Sequence, residues 1–166
     1  TNVDSLLDAK HNGRTTFRFS INAEEIIRRF EHKTPKLNER ISAAVKVASA
    51  DYPLGFILGP IFYYDGWEKS YGNMIDKLAE SLSGKLAEPP AFELITHRFT
   101  KRAKQNILDV FPNTRLPLDE ETRKFKYGQF GYGKYVYPKE TMGEMKEFLE
   151  ERIKKNFPDA SILYFV

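Results

Sequence analysis

The stretch "PLGFILGPIFYY", residues 53–64, is a continuous apolar run closed at both ends by turn-forming residues. Its length and content suit a strand covered on both faces, as in a parallel sheet. Upstream, "TTFRFSIN" (15–22) sets Phe17, Phe19 and Ile21 in alternation with polar residues, the pattern of another strand. Two helical patterns separate them. "NAEEIIRRF" (22–30) places Asn22 at an N-cap with Glu25 three residues on, a capping-box spacing. "PKLNERISAAVKVASA" (35–50) gathers Leu37, Ile41, Ala44, Val45 and Ala48 on one helical face.

Downstream, "GWEKSYGNMIDKLAESLSG" (66–84) reads as a helix ending near Gly84. "AFELITHRF" (91–99) reads as another buried strand, and "TKRAKQNILDVF" (100–111) as a helix stopped by Pro112. A hairpin rich in glycine and rings follows. Residues 140–157 then form a helix and 160–166 a last strand. This alternation predicts an α/β architecture with parallel strands. Only part of a larger sheet or open barrel is present, resembling its back end. No repeat, low-complexity tract or linker divides the chain, so residues 1–166 are read as one domain.

The 166 residues are enough to bury a core, and 41% hydrophobic with 30% charged residues marks a globular chain rather than a disordered one. No apolar run reaches bilayer length, which excludes a membrane-spanning role. The chain begins at Thr1 without a visible signal peptide, a start expected of a fragment or processed product. Its net charge is only +3, too small for binding nucleic acid by total charge, but the basic residues cluster at 97–104 and 123–126. There is no cysteine, and His11, His32 and His97 are scattered, so these residues offer no thiolate or HExxH metal site.

In parallel α/β folds, ligands bind beyond the carboxyl ends of the strands. Here those ends carry Ser20 and Asn22, Gly59 and Pro60, and His97 and Arg98. Ser20 and Asn22 offer a hydroxyl and an amide to a ligand, or cap the next helix. Gly59-Pro60 makes a shelf for a flat ring, or ends a strand. His97 and Arg98 face a substrate, or form a core histidine and an ion pair. The triads, P-loops and dinucleotide fingerprints of common enzymes are absent.

The most distinctive segment is "RKFKYGQFGYGKYVYPKE" (123–140), with six aromatic residues threaded between three glycines and several basic side chains. Rings and cations on a turn suit stacking and charge against unpaired or distorted bases. A hydrophobic flap over a core is the alternative.

The segments "VDSLLDAKHNGRTTFRFSINAEEII", "KVASADYPLGFILGPI", "GWEKSY", "FELITHRFTKRAK", "LDEETRKFKYGQFGYGKYVYPKE" and "FPDASILYF" together resemble the spore photoproduct lyase family, over nearly the whole chain and in the same order. These are radical S-adenosylmethionine enzymes that reverse 5-thyminyl-5,6-dihydrothymine in DNA. The resemblance implies the C-terminal part of a partial (β/α) TIM-like barrel with a β-hairpin inserted at about 123–138. It also implies S-adenosylmethionine and a [4Fe–4S] cluster as cofactors, the cluster's cysteines being expected upstream of this chain. A 5′-deoxyadenosyl radical takes hydrogen from the lesion in this family, and a cysteine returns it. This fragment alone is therefore expected to be inactive.

The same resemblance carries Ser20, with Asn22, Gly59 and Pro60, to S-adenosylmethionine. It carries Tyr127, Gln129, Phe130 and Lys134 to the lesion and DNA, the hairpin acting as a wedge, while His97 and Arg98 at the third strand mouth are read as contacts to the same substrate. Expected partners are UV-damaged double-stranded DNA and the missing N-terminal half of the same protein. A monomer in the cytoplasm is expected, or in the spore interior if the host forms spores. The tip departs from the family's Gly-Arg-Tyr-Gly: it reads "GQFG", so stacking is kept while one guanidinium contact is lost. The rival readings are a radical enzyme acting on another substrate and a non-catalytic nucleic-acid-binding fragment.

Overall fold

A computed structural model of the chain describes residues 1–128, 131 and 133–166. Four strands run parallel: β1 (Phe17–Ile21), β2 (Leu54–Ile61), β3 (Ala91–Thr96) and a last strand, Ser161–Phe165. They lie side by side in chain order. Phe19 pairs with Phe56, and Phe56 with Phe92, so one row of rings crosses three strands. Helices α1 (Glu24–Phe30) and α2 (Leu37–Ala48) connect β1 to β2, and α3 (Trp67–Leu82) connects β2 to β3. The return to the last strand passes through α4 (Lys101–Val110), an antiparallel hairpin of β4 (Lys124–Tyr127) and β5 (Gly133–Val136), and α5 (Lys139–Asn156). The last strand is β6.

The core follows from the periodicity. Helix α2 packs on β1 and α3, and α3 packs on α5, all against the sheet face that carries Phe56, Leu58, Phe92 and Leu94. Each of those four side chains is buried, worth about 1.5–3 kcal/mol apiece relative to exposure. Arg152 of α5 pairs with Asp76 of α3 at the rim of this layer. Among the described residues, no helix is long and apolar enough to cross a membrane.

The expectation of a strand covered on both faces is corrected. Ser20 is exposed, and Ile57, Gly59 and Ile95 are only half-buried on the sheet's other face. The run read as doubly buried because Gly55 and Gly59 interrupt its alternation without adding polarity. On that open face Glu93 accepts hydrogen bonds from Arg18 of β1 and Tyr164 of β6. The arginine reaches it by lying across Gly55, where an added Cβ would stand 3.1 Å from Arg18 Cγ. The order β1–β2–β3–β6, with α2, α3 and α5 packed on one face, thus leaves the other face open, with Arg18 and Glu93 among its side chains.

Candidate functional site

Asn22 follows β1 directly and is fully buried. Its Nδ2 donates to the Pro60 carbonyl and to Glu31 Oε1, both at 2.9 Å, while its Oδ1 accepts the Ala23 N–H at 2.9 Å. The second Glu31 oxygen accepts from Arg40 Nη2 at 2.6 Å, and Arg40 Nε donates to the Pro35 carbonyl at 2.8 Å. Buried polar groups require such partners, and this network ties the mouth of β1 to that of β2. The expected cap is therefore corrected: α1 starts at Glu24 with Ala23 as N-cap, and Asn22 holds the strands instead. Both donors of its amide are engaged, and Oδ1 keeps one further acceptor position.

Above this network lies a ledge. Ser20 is exposed on the open face, Gly59 is half-buried and Pro60 exposed, with the Gly59–Pro60 peptide in cis. A Cβ at Gly59 would come within 3.0 Å of Ile95 Cβ and 3.1 Å of the Ile95 carbonyl, so only glycine keeps the ledge flat against β3. A hydroxyl beside a side-chain-free backbone fits a cofactor bearing a flat base and polar edges. No cysteine exists in the chain to hold an iron–sulfur cluster, and the described residues contain no cluster of three potential His, Asp or Glu ligands.

The mouth of β3 is built differently. His97 is buried, with its ring stacked 4.5 Å from Phe62. Arg123, also buried, donates from Nη1 to the His97 carbonyl at 2.8 Å and meets His97 Nδ1 through Nη2 at 3.3 Å. That contact makes Nδ1 the acceptor and leaves the proton on Nε2. Burial, then the Arg123 charge, push the His97 pKa down to about 4. The guanidinium also lies 3.5 Å over the Tyr137 ring, and the Tyr137 hydroxyl accepts the Tyr63 N–H at 2.9 Å. His97 is thus buried between strand mouths and hairpin root, the core-histidine alternative of the two sequence readings.

Hairpin register explains the sequence. Lys124 pairs with Val136, Phe125 with Tyr135, Lys126 with Lys134 and Tyr127 with Gly133. Side chains alternate across a strand, so Phe125, Tyr127 and Tyr135 share one face while Lys126 and Lys134 share the other. Phe125 stands edge-on to both Tyr127 and Tyr135, at 5.1 Å in each case, and its ring covers Gly133 so closely that a Cβ there would overlap it. Tyr135 stacks on Phe99 at 5.3 Å, and the two residues exchange backbone hydrogen bonds of 2.7 and 3.2 Å. The rings therefore divide. Tyr135 and Tyr137 are buried at the root, whereas Tyr127 is 74% exposed towards the tip.

On the basic face, the half-buried Arg98, then burial and Lys126, hold the Lys134 ammonium below its ordinary pKa. Crowded cations of this kind are relieved by an anion. Gln129 and Phe130 lie outside the described residues. Sequence reasoning missed Arg123, Tyr137 and Glu93. For the first two a signal existed: extending the register by one pair sets Arg123 opposite Tyr137, on the face of the other rings.

Fold and mouth together make an α/β protein with a parallel sheet, the class in which ligands bind beyond the carboxyl ends of the strands, and a basic, aromatic ribbon stands beside those ends. The chain belongs to the spore photoproduct lyase family: the family model described as "Spore photoproduct lyase" matches residues 1–166. It is 52% identical over 163 residues to the spore photoproduct lyase of Bacillus subtilis, covering 98% of this chain and 48% of the relative. The Clostridium acetobutylicum enzyme of the same name is 48% identical over 164 residues, covering 99% of this chain and 48% of the relative.

Solved structures agree. A spore photoproduct lyase complexed with dinucleoside spore photoproduct superposes with a TM-score of 0.94 at 47% identity, covering 99% of this chain and 48% of that one. A doubly substituted spore photoproduct lyase with bound AdoMet and dinucleoside spore photoproduct gives the same TM-score, identity and coverage. The chain spans about half the length of the curated relatives it matches.

Proposed function

We propose that the chain is the C-terminal half of a DNA-repair lyase that returns the spore photoproduct to two thymines with S-adenosylmethionine as cofactor. The observation that carries this reading is the pairing of a ledge at the β1 and β2 mouths with a two-faced ribbon held at the β3 mouth. Residues 1–166 are read as one domain, part of an incomplete (β/α) barrel whose helices lie outside and whose open polar face is the interior. The hairpin at about 123–138 is an insertion between α4 and α5. The protein acts as a monomer in the cytoplasm, completed by its N-terminal half.

S-adenosylmethionine, with a reduced iron–sulfur cluster held outside these residues, supplies the radical that starts the reaction. This chain's part is position. Ser20 and the Gly59-Pro60 ledge receive the adenosyl end, and Asn22 fixes the ledge from beneath. Tyr127 and Phe130 stack where the lesion leaves the helix, recovering part of an unstacking cost of a few kcal/mol. Arg98 and Lys134 take backbone phosphates. His97 and Arg123 hold the hairpin to the barrel mouth. Gln129 adds a neutral polar contact in place of a charged one.

Binding tests the reading. In the intact protein, lesion-bearing duplex should bind more tightly than undamaged duplex, and Tyr127→Ala with Phe130→Ala should abolish that preference. Equal affinity of the unmodified protein for both duplexes contradicts it.

A further inference from the structure

A second cleft lies at the same end of the sheet, away from the ledge and the hairpin. It has a volume of about 720 Å³ and opens between the end of α1 and the segment joining α4 to β4. Its lining includes Arg29, Phe30, His32, Val110, Phe111 and Arg115, and no carboxylate. Val110 and Phe111 are 68% and 63% exposed, an unusual state for two consecutive large apolar residues. Arg29 lies 5.1 Å over the Phe30 ring while its Nη1 meets Glu25 at 3.2 Å on the exposed side of α1.

The cleft is joined to the site already described. Phe30 packs 5.2 Å from Phe62, which stacks on His97, and Leu116 of the cleft wall packs with Phe99 and Tyr135 at the hairpin root. The cleft wall and the hairpin root thus share packing contacts. Aromatic floor, apolar rim and cationic walls are the combination that takes a base by stacking and its phosphate by charge.

We propose that this cleft is a second nucleic-acid contact, holding a nucleotide of the strand that flanks the lesion. The base lies against Phe111 and Phe30, and the phosphate against Arg115 and Arg29. The inference rests on the DNA-binding reading above and extends it to bases beyond the lesion. The cationic lining favours this occupant over a neutral peptide segment, because an apolar chain would leave Arg115 without an anion, while Arg29 already meets Glu25.

The test uses the intact protein with Phe111→Ala and Arg115→Gln, both on exposed positions. Affinity is measured for a lesion-bearing duplex, for an undamaged duplex and for the free dinucleoside lesion, which has no flanking nucleotide. The proposal expects each substitution to weaken both duplexes about tenfold and to leave the dinucleoside unchanged. Arg115→Gln should also make the logarithmic salt dependence of duplex binding shallower by about one unit. Unchanged duplex affinity overturns the proposal, as does equal weakening of duplex and dinucleoside. A lower melting temperature with duplex affinity intact also overturns it, by showing that the rest of the polypeptide covers the cleft. Failure of the repair reading looks different: both duplexes would bind equally in the unmodified protein, whatever the cleft variants do.

Discussion

Arg123→Ala is the perturbation that probes the junction between sheet and hairpin. The guanidinium makes two hydrogen bonds to buried acceptors of His97 and covers the face of Tyr137. Charged hydrogen bonds of this type contribute about 1.5 kcal/mol or more each, and a desolvated cation–ring contact about 1 kcal/mol. Part of that sum is returned when water enters, so a net local loss of about 3 kcal/mol is expected. The hairpin's own cluster is small, Phe99, Leu118 and Tyr135 with Ile107 and Leu116, so it has little to compensate. Opening of the hairpin root should then become about two orders of magnitude more frequent. Amide hydrogen exchange in the intact protein reads this directly at Phe99 and Tyr135, whose N–H groups bond each other's carbonyls. Leu94 in β3 should keep its protection. Arg123→Lys retains charge without the planar fork and should fall between the two. Native protection of Phe99 and Tyr135 in a folded Arg123→Ala protein would refute the reasoning.

Two further outcomes follow from the same geometry. His97 has a native pKa of about 4 against 6.5 in the unfolded chain, so the unfolded chain alone takes up this proton between those values. Stability should be unaffected by His97 above pH 6.5 and fall by about 3 kcal/mol between pH 6.5 and 4; denaturant titrations should show this slope, and His97→Gln should flatten it. On the open face of the sheet, Gly55→Ala should press on Arg18 and loosen its pairing with Glu93, costing about 1–2 kcal/mol. In an Arg18→Ala background the same change should cost almost nothing, and additivity of the two losses would contradict the crossing.

Much of the framework was legible in the letters. The strands near residues 17, 56, 93 and 163 and the helices between them follow from period and turn residues, because most of their apolar side chains meet one core. The open face was not legible. Glycines at 55 and 59 kept the β2 run looking apolar, and only their neighbours Arg18 and Ile95 show why they are glycines. Asn22 and His97 read as ligand groups because polar residues at strand mouths often are. Their burial depends on Glu31, Pro60 and Arg123, contacts between segments 9 to 38 residues apart that no local pattern reveals. Hairpin alternation, by contrast, was present in "RKFKY" and "GKYVY", and needed only the pairing register to separate rings from lysines.

Repair itself is the most direct test of the account. The intact protein, reconstituted without oxygen, is given reductant, S-adenosylmethionine and duplex DNA carrying 5-thyminyl-5,6-dihydrothymine, and the products are identified by mass spectrometry. The account predicts restored thymines, lost on Tyr127→Ala together with Phe130→Ala in duplex DNA. Cleavage of S-adenosylmethionine with the lesion left intact would contradict it, and would place the substrate elsewhere, with Gln129 and Phe130 the first residues to re-examine.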